Sequence, residues 1–155
     1  MSLSFGPGLF FNPNSVMIKY ILKVKNYSMP IDLALLVIRI VVSGMMFTHG
    51  GPKFMRLLDG NLKFGDPLGI GSDISFVLVV FAEFFCSIFI IAGLGTRLAV
   101  FPLLITMLVA LLVRHGEDPV LDHVNIVAYI TTYVFLFFTG SGKYSLDYKM
   151  FGSKT

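Results

Sequence analysis

Residues 30–49, PIDLALLVIRIVVSGMMFTH, and residues 73–94, DISFVLVVFAEFFCSIFIIAGL, decide the fold of this chain. Each run is long and apolar enough to cross a bilayer, which takes about 20 residues of helix. Each also carries one charge near its middle, Arg39 in the first and Glu83 in the second. An unpaired charge at bilayer depth costs roughly 3 kcal/mol on insertion scales, so such residues are usually paired or functional. Counted from the ends of their helices at 1.5 Å per residue, Arg39 lies about 12 Å and Glu83 about 15 Å from the same boundary. Neighbouring helices then place the two charges at matching depth, and pairing would offset most of the cost of burying either. The two charges can therefore pair, though the sequence does not say whether they touch, and Ser43 lies one turn beyond Arg39 on the same face.

Composition points the same way. The chain has 155 residues, 55% hydrophobic and only 14% charged, with a mean hydropathy of +0.83. Soluble domains carry about a quarter charged residues. The net charge of +3 is too small and too scattered for nucleic-acid binding. Cys86 is the one cysteine, so an internal disulfide and a C-x-x-C relay are both excluded.

Two further apolar runs, 97–113 and 123–138, complete four spans. The short links between the later spans force antiparallel neighbours, and the expected fold is an all-α integral membrane four-helix up-down bundle. Residues 50–72 read as a long loop, 93–96 as a tight turn, and 114–121 as a short polar loop. Pro102 falls early in the third span, where a small kink or plain tolerance is expected. Gly44, Gly93 and Ala99 are candidates for close helix contact, within one copy or between copies of a homo-oligomer. The expected domains are an N-terminal extension over 1–29, the four-helix domain over 30–148 and a tail over 149–155. Lys19 and Lys23 lie four apart in an apolar segment, which suits a helix lying in the headgroup region. Lysine and arginine are more numerous on the side of the termini, which predicts that both termini are cytoplasmic.

The fourth span carries a polar stripe, Asp122, Asn125, Tyr129, Thr132 and Tyr133, confined to one face of about 100°. Asp122, Asn125 and Tyr129 are the candidates for a ligand pocket, while Thr132 and Tyr133 are expected to bond neighbouring helices. His49 ends the first span, where an imidazole can shuttle protons near neutral pH. His115, Glu117, Asp118, Asp122 and His123 cluster about the third link, but their spacing matches no zinc signature, and no metal is assigned.

The ordered pieces Arg39 with Gly44, Thr48-His49-Gly50 with Lys53, Glu83, Gly93-Leu94-Gly95-Thr96-Arg97 and Gly140-Ser141-Gly142-Lys143-Tyr144-Ser145-Leu146-Asp147 together resemble the DoxX family of small four-span bacterial membrane proteins. The resemblance covers about residues 33–147, leaving the N-terminal extension outside the family pattern. Asp122 is the nearest match to the carboxylate that leads into the family's fourth span. The resemblance implies a bacterial plasma-membrane location and association with redox complexes, since relatives include a quinone-reducing thiosulfate oxidoreductase subunit and a partner in thiol-linked oxidative defence.

The leading expectation is therefore a membrane subunit of an oxidoreductase system. It would bind a quinone-like carrier or dock a redox protein partner, with Glu83 and His49 as catalytic candidates and Arg39, Ser43, Asp122, Asn125 and Tyr129 as binding candidates. The alternative is a non-catalytic scaffold or assembly factor whose polar interior only fixes helix packing. Solute transport is weaker still, because four spans offer little pathway.

Overall fold

The structure, a computed structural model, describes residues 24–25, 27–114 and 123–151. The expected interfacial helix around Lys19 and Lys23, Asp122, and most of the polar third link lie outside those residues. Helix α1 spans Met29–Leu58, α2 Ser72–Ala92 and α3 Thr96–Val113, α4 Val124–Thr139 and a short α5 Leu146–Phe151. Among the described residues there is no strand. Each of the first four helices packs on its chain neighbours, and α4 closes the ring against α1. This is the all-helical membrane bundle that the sequence predicts. Helices α1, α2 and α3 are each long and apolar enough to cross a membrane, while α4 is a shorter apolar helix.

The core is a file of Leu35, Met46, Ala82, Cys86, Ile90, Val100, Leu103, Tyr133 and Leu136. Outward-facing residues such as Val37, Val41, Phe81, Phe101, Ile105 and Phe138 remain exposed, as expected where lipid is the solvent. Pro102 lies within α3 without ending it.

Helix α1 is longer than its apolar run. It continues through Gly50, Gly51 and Pro52 to Leu58, so the expected loop from residue 50 begins only at 59, and His49 stands within the helix rather than at its end. Proline forfeits a single bond here, to the carbonyl four residues back, and packing against α2 carries the helix across that gap. At 30 residues, α1 is about 45 Å long, well beyond a hydrocarbon core of about 30 Å.

This length decides against an Arg39–Glu83 pair. Arg39 lies level with Gly93, where an added Cβ would stand 2.9 Å from its Nη1, whereas Gly50 lies level with Glu83. The ends of α1 and α2 are not flush, and the two charges are separated by about 15 Å along the bundle, ten residues of helix.

Arg39 is instead the keystone of what we term the basal end, formed by the α2–α3 turn and the C-terminal segment. Arg39 is 1% exposed, and its guanidinium donates to three carbonyls, those of Ser141, Tyr144 at 2.9 Å and Ile91 at 3.3 Å. Asp147 folds back onto the turn, where its carboxylate accepts from the backbone N–H of Gly95 at 2.7 Å and of Thr96 at 3.3 Å. A carboxylate there caps the first turn of α3 and complements its dipole. The Ser145 hydroxyl accepts from the Tyr148 N–H at 3.1 Å, capping α5, and Asp32 accepts from the Lys143 N–H at 3.1 Å. Gly93 meets two demands at once. It sits at φ 70°, and a Cβ there would lie 2.5 Å from that of Ser145.

Candidate functional site

The charged centre of the bundle forms where α1 crosses α2. A Cβ at Gly50 would lie 2.6 Å from the Glu83 carbonyl carbon and 2.7 Å from its oxygen, so only glycine allows the backbones to meet this closely. Gly44, one of the three candidates for close contact, has nothing beyond its own helix backbone within 4 Å of where its Cβ would be. On the α2 side the helix widens to a π-helical segment over Phe81–Cys86, a distortion found frequently at functional sites. Three residues beyond Gly50, on the same face of α1, Lys53 Nζ lies 2.6 Å from both carboxylate oxygens of Glu83. The Lys53 side chain is 28% exposed and that of Glu83 5%. The partner of Glu83 is therefore a lysine that the sequence reading left in a loop.

Stacked rings also gather where α1 meets α2. Phe54 lies face to face with Phe84 at 4.2 Å between centroids, Phe47 stacks on Phe84 at 5.0 Å, and Phe85 meets Phe54 edge-on at 5.6 Å.

Beside the pair, α1 and α4 enclose a cleft of about 200 Å³ lined by Val42, Met45, His49, Asn125, Ala128, Tyr129 and Thr132. His49 meets Tyr129 edge-on at 6.5 Å, and Tyr129 stacks on Tyr133 at 6.2 Å. Tyr129 also stands within electrostatic reach of Glu83, which connects the cleft to the ion pair.

The structure brings His49, Asn125 and Tyr129 together on this cleft, with Glu83 within electrostatic reach of Tyr129. It buries Ser43 fully, off the cleft lining, and sets Arg39 at the basal end, where Nη1 and Nη2 donate to backbone carbonyls. Thr132 does not bond a neighbouring helix as expected. Its hydroxyl donates to the Ala128 carbonyl of its own helix at 2.8 Å, and it lines the cleft. Sequence reasoning missed Lys53 because Gly50-Gly51-Pro52 reads as a helix breaker; continuing the helical count through that tripeptide would have found it. It missed Val42, Met45 and Ala128 because nothing marks one apolar residue among many. Among the described residues, no group of three or more His, Cys, Asp or Glu is placed to hold a metal ion.

Chemically, the cleft offers an apolar floor with an imidazole, a carboxamide and a phenol above it. That set can grip a flat, oxygen-bearing ring whose hydrocarbon tail stays in lipid. Pockets for drug-sized ligands run to about 300–1,000 Å³, so the volume suits a head-group alone. In comparison with known proteins, the DoxX family model matches residues 34–116, more than half of the chain. That stretch holds Arg39, His49, Lys53 and Glu83 and stops short of α4. No curated protein and no solved structure matches the chain.

Proposed function

This chain belongs to the DoxX family, and on that premise we propose that this integral membrane protein serves as a subunit of a membrane-bound oxidoreductase system. In this reading it holds the ring of a quinone-like, lipid-soluble carrier in the α1–α4 cleft. The observation that carries the reading is the convergence of His49, Asn125 and Tyr129 on one lipid-level cleft backed by the Lys53–Glu83 pair. When bound, such a carrier supplies a two-electron, two-proton couple. Asn125 and Tyr129 donate hydrogen bonds to the ring oxygens and fix its orientation. Glu83, paired with Lys53, accepts a proton through Tyr129 or returns one. His49, exposed on α1, exchanges that proton with the aqueous side. With a single cysteine in the chain, a dithiol partner protein would exchange the electrons. We place the protein in a bacterial plasma membrane with both termini cytoplasmic, since Lys25, Lys143 and Lys149 all stand exposed near the basal end and Lys53 is used inside the bundle.

The test is mass-spectrometric identification of co-purified lipophilic ligands in wild type, Ala128→Trp and Glu83→Gln. Ala128→Trp fills the cleft without removing a polar group, so it should lose the carrier. Glu83→Gln should retain the carrier and lose proton-coupled turnover. A second reading, the non-catalytic assembly subunit, gains support because both conspicuous charges, Arg39 and Glu83, find partners within the chain. A folded wild type that carries no such ligand, but retains a protein partner equally in all three forms, decides for that reading.

A further inference from the structure

Four threonines in the α3 and α4 helices satisfy their hydroxyls locally. Thr106, Thr131, Thr132 and Thr139 each donate to the carbonyl four residues back, at 2.8 or 2.9 Å, the ordinary solution on a membrane helix. Ser43 of α1 and Ser87 of α2 do not. Both are wholly buried, as is Tyr133 of α4, and none of the three hydroxyls has a hydrogen-bond partner. The Tyr133 hydroxyl faces Ser43 without completing a bond to it. A buried hydroxyl left unpaired costs free energy that a back-bonding rotamer would recover. Three from three different helices, all declining that rotamer, indicate that their partner is something other than protein.

Their position gives the group a direction. Ser87 lies one turn beyond Glu83 on α2, and Tyr133 one turn beyond Tyr129 on α4. Ser43 lies one turn from Arg39, whose Nε is also unpartnered, as are the Ser141 and Thr96 hydroxyls at the basal end. Measured along α1 from Gly50 to Arg39, this polar file is about 16 Å long.

We propose that Ser43, Ser87 and Tyr133 form an internal water-binding site, and that water held there joins the basal polar layer to Glu83. A buried water makes about three hydrogen bonds on average, and three hydroxyls from three helices supply that number. Each hydroxyl both donates and accepts, so the file can carry a proton in either direction. Its use as a proton path rests on the proton role proposed for Glu83, while hydration of the site does not.

The test is a set of hydroxyl deletions, Ser43→Ala, Ser87→Ala and Tyr133→Phe, singly and in pairs, read as thermal midpoints of the full chain in nanodiscs. A shared water predicts that each single deletion lowers the midpoint by a few degrees. Each pair should then lower it by less than the sum, because the water is lost with its first partner. Infrared spectra should show a water O–H stretch that shifts in H2 18O, is absent from Ser43→Ala, and survives Glu83→Gln. Should Tyr133→Phe fail to fold, the two serine variants and the isotope-sensitive band decide alone. Midpoints that rise or hold on each deletion and add in pairs, with no such band in wild type, would overturn the proposal and leave dry hydroxyls. Failure of the Glu83 proton role would leave these readouts unmoved.

Discussion

Replacing Arg39 by Leu removes the keystone of the basal end without changing the apolar character of α1. In the folded protein the guanidinium satisfies the carbonyls of Ser141, Tyr144 and Ile91, and Asp147 stands close enough to attract it. Hydrogen bonds to a charged group contribute about 1.5–3 kcal/mol each, so three set a ceiling near 9 kcal/mol. Removing the cation also relieves a desolvation penalty of several kcal/mol, and truncating one member of a buried charge network typically costs about 3–5 kcal/mol. We expect a loss in that range for Arg39→Leu and a smaller one for Arg39→Lys, whose single ammonium cannot fork to three carbonyls. The assay is chemical unfolding in mixed micelles, paired with amide exchange over residues 141–147 and at Gly95 and Thr96. Protection should collapse at the basal end first and persist around Glu83. Unchanged protection over residues 141–147, or a larger coupling of Arg39 to Glu83 than of Lys53 to Glu83 in double-mutant cycles, would refute the assignment.

Further outcomes follow from the same geometry. Gly50→Ala should cost about 1–3 kcal/mol by forcing α1 off α2, whereas Gly44→Ala, facing open space, should be neutral or stabilise by up to about 1 kcal/mol; unfolding midpoints of the two variants compare them directly. Asp147→Asn should weaken the cap on α3, at about 1 kcal/mol, and amide exchange at Gly95 and Thr96 will read it. In the loop after α1, the Gly71 N–H, assisted by the Ser75 hydroxyl and the Ile70 and Gly69 N–H groups, holds the Asp66 carboxyl below the ordinary carboxylate range. A depressed pKa contributes order that is fully present above the unfolded value and is lost as pH falls through the folded one. Exchange protection at Ile70 and Gly71 should therefore hold at neutral pH and fail only in acid below the usual carboxylate range, with Asp66→Asn lacking it throughout.

What the sequence made legible follows from how local each feature is. Four apolar runs and the 3.6-residue spacing of Asn125, Tyr129 and Thr132 need only short-range counting, and both the bundle and the face of α4 that lines the cleft were readable. The partner of Glu83 was not, because depth was counted from helix ends assumed to be flush, and because Gly50-Gly51-Pro52 hides the continuation of α1. The basal cluster joins Arg39 to a carbonyl 102 residues away, a contact that no local pattern announces. The resemblance to a known family nonetheless singles out Arg39, the 93–97 turn and residues 140–147 within it, though not Asp32 or Ile91. Unpaired serine hydroxyls are likewise invisible in sequence, since a back-bonded serine and an inward-facing one are the same letter.

The central claim is that the cleft between α1 and α4 takes the ring of a lipid-soluble carrier, and photo-crosslinking tests it most directly. Purified protein in nanodiscs would be irradiated with a quinone bearing a photoreactive group on its ring, and the adducts mapped by peptide sequencing. The account predicts adducts at residues 42–49 and 125–132, suppressed by excess unlabelled quinone and by Ala128→Trp. Adducts scattered over the lipid-facing surfaces of all four helices, indifferent to competitor and to Ala128→Trp, would contradict it.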